Sequence, residues 1–213
     1  MSRGKIPIIM NTSNATEHYS LFPTLVIKTP GFLTLQECTK IYKLVIKKKK
    51  EIQMAPHGTI SGENSGSSFD SSSFLRHNKS LKIIEKKILD KATEYAKQAG
   101  YRINKVMDHS WFNIQNKGSK LKQHSHPLST FSGALYINCD EKSSPLCFHS
   151  PNSFIYFTHT IQKVGPLPPF AYQWVYFKPK KGDLFLFPSF LMHGSHEIPN
   201  ETENRIVISF NIT

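Results

Sequence analysis

Short apolar runs that alternate with polar residues dominate the second half of the chain. From Tyr101 onward, β-branched and aromatic residues recur in these runs, and Gly, Pro, Asn and Lys separate them. This pattern predicts β-strands rather than helices. The predicted strands are VMDHSWFNI, TFSGALYIN, PLCFH, SFIYFTHTI, QWVYFK, DLFLF and RIVISFNI. Successive strand patterns without an intervening helical pattern are typical of a β-sandwich or a jelly roll.

The first half of the chain contains helical patterns instead. Thr34 and Glu37 form a capping box, because the threonine oxygen can accept an N–H bond three residues on while the glutamate reaches back. A helix is therefore predicted from about Leu35 to Ile52. The residues on its predicted buried face are Cys38, Ile41, Tyr42, Val45 and Ile46.

Residues 80–99 predict a second helix, and Gly100 supplies its stop. The apolar residues that share one face of this helix are Leu81, Ile84, Ile88, Ala92 and Tyr95. Before the first helix, Leu21–Lys28 predicts an early strand. Residues 56–73 are rich in Gly and Ser and predict a mobile loop, which is either a lid or binding loop or a plainly disordered segment. The prolines in 150–175 predict a long excursion from the strands.

Length and composition fit a single domain over residues 1–213. An N-terminal strand, two helices and the loop are expected in 1–100, and a jelly-roll core in 101–213. Hydrophobic residues make up 38% of the chain and charged residues 20%, which is typical of a globular protein. Because the chain has neither a long apolar run nor a signal-peptide pattern, we expect no membrane span.

Three cysteines without a CxxC pair favour free thiols and a cytoplasmic location. These cysteines are Cys38, Cys139 and Cys147.

The formal net charge of +12 raises the question of nucleic-acid binding. Most of the 27 basic residues are lysines, however, and only four are arginines, whose planar guanidinium groups are favoured in base and phosphate recognition. These arginines are Arg3, Arg76, Arg102 and Arg205. Composition therefore favours a solvated basic surface over a nucleic-acid partner.

Two histidines at alternate positions, His124 and His126, form a candidate half of a metal site. Residues i and i+2 of a strand point to the same face, so both imidazoles can bind one divalent ion. A jelly roll brings the end of an early strand next to the start of a late one. His193, which follows the apolar run DLFLFPSFLM, is therefore the candidate third ligand. Three protein ligands on one side of an ion leave positions for a chelating cosubstrate and O₂.

Arg205 begins the alternating strand RIVISFNIT, and Val207, Ser209 and Asn211 share its predicted inward face. A buried guanidinium without a partner is costly, so we expect an anion beside it. A dicarboxylate chelated to the metal would supply that anion. Ser209 is positioned to donate a hydrogen bond to the same carboxylate.

From Trp111 to its C-terminus the chain resembles the Fe(II)- and 2-oxoglutarate-dependent oxygenases of the double-stranded β-helix fold. The resemblance rests on the pattern W-x-N…G…H-x-H-P…S-G…Y…F-P-S-x-L-x-H…R-x-x-x-S-x-N. The matching residues are Trp111, Asn113, Gly118, His124, His126, Pro127, Ser132, Gly133, Tyr136, Phe187, Pro188, Ser189, Leu191, His193, Arg205, Ser209 and Asn211. The resemblance implies a mainly β jelly roll with an N-terminal strand and two helices packed on one side.

By this resemblance, the chain is expected to be a dioxygenase that binds Fe(II), 2-oxoglutarate and O₂. It would oxidise an unidentified substrate and release succinate and CO₂. His124 and His193 are the expected iron ligands, and no catalytic residues beyond the ligands are expected. Arg205 is expected to bind the far carboxylate of 2-oxoglutarate, and Asn113 to touch the cosubstrate. Most characterised oxygenases have Asp or Glu where this chain has His126, which is either the third ligand or a neighbour that leaves a coordination position open.

Several of these assignments have alternatives. Tyr136 has two interpretations, a hydrogen bond to 2-oxoglutarate or core packing. A cupin-type metal protein shares the fold, the HxH pair and a late histidine, but it would give Arg205 no role. A metal-free jelly-roll binding module explains neither the histidines nor the arginine. His196 is a weaker candidate ligand than His193, because the turn GSHE places it farther from the strand.

Overall fold

The computed structural model describes residues 23–51, 59–69, 73–104, 106–152 and 171–213, which form three α-helices and eleven strands. The helices are α1 (Leu35–Glu51), α2 (Phe74–His77) and α3 (Lys82–Ala99). The strands are β1 (Ile27–Thr29), β2 (Ile60–Ser61), β3 (Gly66–Ser67), β4 (Met107–Gln115), β5 (Lys120–Leu121), β6 (Phe131–Asn138), β7 (Leu146–His149), β8 (Trp174–Phe177), β9 (Leu184–Pro188), β10 (His193–Gly194) and β11 (Arg205–Ile212). The predicted strand SFIYFTHTI lies outside the described residues.

Helix α1 begins at the predicted capping box. The Glu37 N–H donates to Thr34 Oγ1 at 3.2 Å, and the Thr34 N–H donates to Glu37 Oε2 at 2.8 Å. These hydrogen bonds favour the carboxylate and hold the pKa of Glu37 below its ordinary value. Of the predicted apolar face, Cys38, Ile41 and Val45 are buried, and Tyr42 and Ile46 are partly buried against the same core.

Helix α3 confirms the second helical pattern. Its predicted apolar face is buried, and Gly100 ends it with φ of 75°, a conformation that glycine adopts without a Cβ clash. The Tyr95 hydroxyl donates to the Leu25 carbonyl at 2.6 Å and ties the helix to the segment before β1. Within the described part of the chain, none of the helices is both long and apolar enough to cross a membrane.

Two antiparallel sheets face each other. The larger has the strand order β1-β9-β6-β11-β4-β3, and the smaller has the order β10-β7-β8. Residues of α1 and α3 pack with Ile206, Ile208 and Phe210 of β11 in the main hydrophobic core. Val207 packs in a second cluster with residues of β7 and β9. The helices therefore cover one face of the larger sheet, and the smaller sheet covers the other, as predicted for a helix-flanked jelly roll.

The prediction of a structureless loop over 56–73 is wrong for the part that is described. Residues 59–69 contain β2, which pairs with β5, and β3, which pairs with β4 at the edge of the larger sheet. Ser67 and Ser68 are buried, and Ser68 Oγ accepts a hydrogen bond from the Phe112 N–H at 3.0 Å. Small polar side chains form these contacts through the backbone, so no hydrophobic pattern marks them in the sequence.

Two other boundaries differ from the sequence prediction. Strand β1 is shorter than the predicted Leu21–Lys28 and extends one residue further, to Thr29, while residues 21 and 22 lie outside the described ranges. Helix α2 was not predicted, because four residues are too few to establish a helical period. All three cysteines are buried free thiols.

Asp183 is a buried ionic anchor between β1 and β9. It is 2% exposed, and its Oδ2 atom lies 3.0 Å from Lys28 Nζ. It also accepts hydrogen bonds from the Gly31 N–H at 3.2 Å and the Lys180 N–H at 2.9 Å. Removing the carboxylate leaves all three donors without this partner.

The substitution Asp183→Ala is therefore expected to lower the free energy of unfolding by roughly 3 kcal/mol, which urea denaturation measures. Asp140→Ala is the control, because Asp140 is an exposed turn residue that also accepts backbone hydrogen bonds. A loss at Asp183 no larger than at Asp140 would show that the anchor contributes little.

Candidate metal centre

The backbone brings His124 and His193 together in an antiparallel bridge. The His124 N–H donates to the His193 carbonyl at 3.0 Å, and the His193 N–H donates to the His124 carbonyl at 2.9 Å. The His126 N–H donates to the Ser189 carbonyl at 2.8 Å, in the turn between β9 and β10. The expectation that an early and a late segment meet is thus confirmed, although the HSH segment forms an isolated bridge and not the regular strand that was predicted.

The three imidazole rings converge on one point. The ring centroids of His124 and His193 are 4.4 Å apart, those of His124 and His126 are 5.0 Å apart, and those of His126 and His193 are 5.3 Å apart. One ring nitrogen from each histidine lies within 4.8 Å of the others. Metal–imidazole bonds of about 2.1 Å require somewhat closer nitrogens, so the rings need only converge further around an ion.

Backbone carbonyls fix the tautomers of two of these histidines. His124 Nδ1 lies 2.8 Å from the Lys122 carbonyl oxygen, and His193 Nδ1 lies 2.9 Å from the Leu191 carbonyl oxygen. A carbonyl oxygen can only accept, so each Nδ1 carries the proton and each Nε2 keeps a lone pair. Such hydrogen bonds orient metal-ligating histidines. Among the described residues, no hydrogen bond reaches a ring nitrogen of His126.

Burial keeps two of the three histidines uncharged. Desolvation lowers the pKa of His193 well below its ordinary value, and nearby His124 lowers it further. Desolvation, again with His124 beside it, lowers the pKa of His126 to about 4. Both rings are therefore neutral near pH 7, which is the protonation state that a metal ligand needs.

Arg205 lies in the same cavity as the histidines and is 4% exposed. Its Nη1 donates to the Gln115 side-chain oxygen, and its guanidinium carbon lies 5.2 Å from the centroid of the Tyr136 ring. Within the described residues, its Nε has no hydrogen-bond partner and no carboxylate pairs with it. The cavity thus contains a buried positive charge whose contacts are neutral.

The remaining predicted cosubstrate residues line this cavity as well. The Asn113 side-chain amide donates to Ser209 Oγ at 3.1 Å, so strands β4 and β11 are linked beside the arginine. Tyr136 is 1% exposed, and burial raises the pKa of its phenol to about 12. It therefore stays protonated at neutral pH and keeps a hydrogen that it can donate.

The cavity has further walls that sequence reasoning missed as site residues. Gln115 lies two residues after Asn113 on β4, and this alternation was a signal that could have placed it in the site. Ser67 and Phe69 come from the segment expected to be structureless. Phe69 packs edge-on against Trp111, with ring centroids 4.9 Å apart. Trp111, which the family pattern includes without an expected role in the site, is both buried and part of the cavity wall.

His149 and His196 lie apart from the cluster. His196 stacks on Trp174 at 4.1 Å, and its Nδ1 lies 2.8 Å from the Tyr176 hydroxyl. His149 packs against the same tryptophan, with ring centroids 4.2 Å apart. His159 lies outside the described residues. In the described part of the chain, the candidate metal group consists of three histidines and contains no carboxylate.

Comparisons with known proteins identify a matching family profile and similar folds. Residues 109–211 match the profile of a family described as "Putative 2OG-Fe(II) oxygenase". A Pseudomonas putida prolyl-4-hydroxylase superimposes with a TM-score of 0.64 and 12% identity, covering 89% of this chain and 92% of the other. A collagen prolyl hydroxylase of Paramecium bursaria Chlorella virus-1, in complex with 2-oxoglutarate, gives a TM-score of 0.56, 17% identity, and coverage of 88% and 94%.

A third similar structure is HygX from Streptomyces hygroscopicus with nickel and 2-oxoglutarate bound. Its TM-score is 0.56 and its identity 10%, with coverage of 88% of this chain and 82% of the other. A search of curated proteins found no match. At these identities the similar structures establish the fold alone, which is the double-stranded β-helix.

Protonation of His126 is expected to destabilise the metal-free protein. As the pH falls below 6.5, the unfolded chain takes up a proton on this histidine, whereas the folded protein keeps it neutral to about pH 4. The unfolded state then binds more protons, so stability should decrease as the pH is lowered. Between about pH 6.5 and 5, the melting temperature of the chelator-treated protein is expected to fall.

The substitution His126→Gln should flatten this pH dependence, because glutamine does not ionise. His77→Gln is the control, since His77 is exposed on α2. Equal slopes in the His126→Gln variant and the unsubstituted protein would contradict the role of burial.

Proposed function

We propose that this chain, whose residues 109–211 match the profile of a putative 2OG-Fe(II) oxygenase family, holds an Fe(II) ion through His124, His126 and His193. We further propose that Arg205 binds the distal carboxylate of 2-oxoglutarate. One observation carries the assignment: a buried guanidinium that no carboxylate of the described residues pairs with shares a cavity with three imidazoles. A cupin without a cosubstrate would leave that charge unexplained.

The donor set suits Fe(II). Imidazole nitrogens are common ligands of iron, and three of them on one side leave open positions for other ligands. Backbone carbonyls orient two of the three rings. The Phe187 ring packs against the His193 ring, with centroids 4.6 Å apart, and this contact limits the rotation of the imidazole. When bound, Fe(II) and 2-oxoglutarate supply the O₂-dependent oxidation that releases succinate and CO₂.

The cavity residues suit a dicarboxylate. Arg205 contributes the charge, and its Nε–H is available for a hydrogen bond. Tyr136 keeps its phenol proton because its pKa is raised to about 12, so it can donate to the same carboxylate. Asn113 and Ser209, which already contact each other, add polar groups along the path between the arginine and the histidines.

We propose that the substrate enters the cavity beside residues 59–69. Thr59, Ser67 and Phe69 line the cavity from this side. The similar structures include enzymes whose descriptions name collagen and hygromycin B, so the fold accommodates both polymer and small-molecule substrates. We propose that this segment selects an organic substrate. We also place the enzyme in the cytoplasm, in keeping with its buried free thiols.

Anaerobic titration tests the proposal. Addition of Fe(II) and then 2-oxoglutarate to the purified protein should give the visible charge-transfer band of a 2-oxoglutarate chelate. Iron binding without the band would favour a cupin-type site, and failure to bind iron would favour a metal-free binding module.

Replacing Arg205 with Leu should raise the 2-oxoglutarate concentration needed for half-saturation of the band by roughly 100-fold, because a charge-assisted hydrogen bond is worth about 1.5–3 kcal/mol and a buried cation is lost with it. Iron affinity should change little. Arg102→Leu is the matched control, because Arg102 is exposed. Loss of iron binding in Arg205→Leu would instead assign the arginine a structural role.

Replacing His126 distinguishes a ligand from a neighbouring group. The variant His126→Asp should keep an iron site, since a carboxylate can occupy the same coordination position. The variant His126→Ala should bind iron more weakly than His196→Ala, whose histidine lies outside the cluster. Equal iron affinity in the two alanine variants would exclude His126 as a ligand.

A further inference from the structure

Among the described residues, the positive charge is concentrated in the two segments that contain β1 and the helices. Residues 23–51 and 73–104 carry 15 Lys and Arg but only 5 Asp and Glu. The other described residues, in 59–69, 106–152 and 171–213, carry 8 basic and 8 acidic side chains. A general lysine bias would raise the charge of both parts. The excess of basic over acidic residues is instead confined to 23–51 and 73–104 among the described residues.

Helix α1 presents the densest part of this charge. Lys40, Lys43, Lys47 and Lys50 follow each other at intervals of three or four residues, so they lie on one face, and all four are exposed. The first and last of these lysines are ten residues apart, or roughly 15 Å along the helix. No acidic residue lies between Glu37 and Glu51. Among the described residues, none of these four lysines forms an ion pair.

The nearby carboxylates are already engaged elsewhere. Glu37 caps α1 and lies 3.5 Å from Lys87 Nζ. On the neighbouring helix, Glu85 pairs with Arg76, and Glu94 pairs with Lys91. Among the described residues, the four-lysine face of α1 therefore carries positive charge that no carboxylate pairs with.

This lysine face points away from the metal centre. The buried side of α1 packs into the main core with Ile206 and Ile208, on the helix side of β11. The cavity is lined by Arg205 and Val207 of the same strand, which point to the opposite face of the sheet. A partner bound on α1 would thus leave the cavity accessible.

We propose that the lysine face of α1 binds the phosphate backbone of double-stranded nucleic acid without reading its sequence. Lysine offers a point charge to phosphate, whereas base recognition favours the planar arginine side chain. The scarcity of arginine therefore argues against sequence reading and not against backbone binding. A duplex presents about one negative charge per 1.7 Å, which gives this 15 Å face several phosphates to contact.

The exposed composition of α1 favours a duplex over two other anionic partners. Single-stranded nucleic acid is bound largely by stacking on aromatic side chains, and α1 exposes none. Helices that lie in a membrane surface insert large apolar residues between their lysines. On α1, the exposed large apolar residue is Leu35, at the first turn and before the lysine series.

Fluorescence anisotropy of the full chain with a labelled DNA duplex of about 20 base pairs tests the proposal. Four phosphate contacts predict a slope of about −3.6 in log affinity against log salt concentration, or a loss of roughly 100-fold between about 50 and 200 mM salt. Affinity should not depend on the duplex sequence. Absence of binding at the lower salt concentration would overturn the proposal.

A matched pair of variants separates the α1 face from net charge. Simultaneous Lys→Gln substitution at 40, 43, 47 and 50 should weaken binding at least tenfold and flatten the salt slope. The control carries Lys→Gln at 117, 142, 180 and 181, four exposed positions of the jelly roll, and removes the same charge. It should change affinity less than about threefold. Equal losses in both variants would show diffuse attraction and overturn the proposal.

Two further measurements guard the interpretation. Both variants should keep the helical circular-dichroism signal and the iron affinity of the unsubstituted protein, because none of these lysines lies in the cavity. Vesicles containing about 30% phosphatidylserine provide the lipid alternative. Vesicle binding that depends on the α1 lysines, without duplex binding, would assign the face to a membrane surface and overturn the nucleic-acid proposal.

Discussion

The antiparallel bridge between His124 and His193 is the contact on which the site depends. Two backbone hydrogen bonds fix these residues opposite each other, so their side chains meet before any ion binds. The same two segments supply the carbonyls of Lys122 and Leu191, which set the tautomers of the two rings. The backbone thus determines both the position and the tautomer of these two rings. His126 depends on the bridge less directly, through one backbone bond to Ser189, and its ring lacks a comparable constraint.

Strand β11 connects this site to the rest of the fold. It pairs with β4 on one side and β6 on the other, which makes it a central strand of the larger sheet. Because side chains alternate along a strand, its even-numbered residues fill the core under the helices while Arg205, Val207 and Ser209 face the cavity. Removal of apolar surface from water on the helix side stabilises a strand that also buries a guanidinium. Stability and function therefore share one strand but occupy opposite faces of it.

Sequence reasoning succeeded where side chains carry the information. Alternating β-branched and aromatic residues identified the strands, the spacing of Thr34 and Glu37 identified the start of α1, and the HxH pair with a late histidine identified the cluster. It failed where the backbone carries the information. The pairing of β3 with β4 uses Gly and Ser, which leave no hydrophobic pattern, and the contact between Gln115 and Arg205 needs the register of two strands distant in sequence.

Charge also explains why a site with three histidines and one arginine favours an anionic ligand. Three neutral imidazoles leave a bound divalent ion with its full charge, and the Arg205 guanidinium adds another positive charge in the same low-dielectric cavity. Without an anion, these charges would repel each other, and each would lack a counterion. A dicarboxylate that reaches from the ion to the arginine would neutralise most of this charge at both ends. Because the described residues of the cluster include no carboxylate, a metal ion held there would therefore depend more strongly on an anionic cosubstrate.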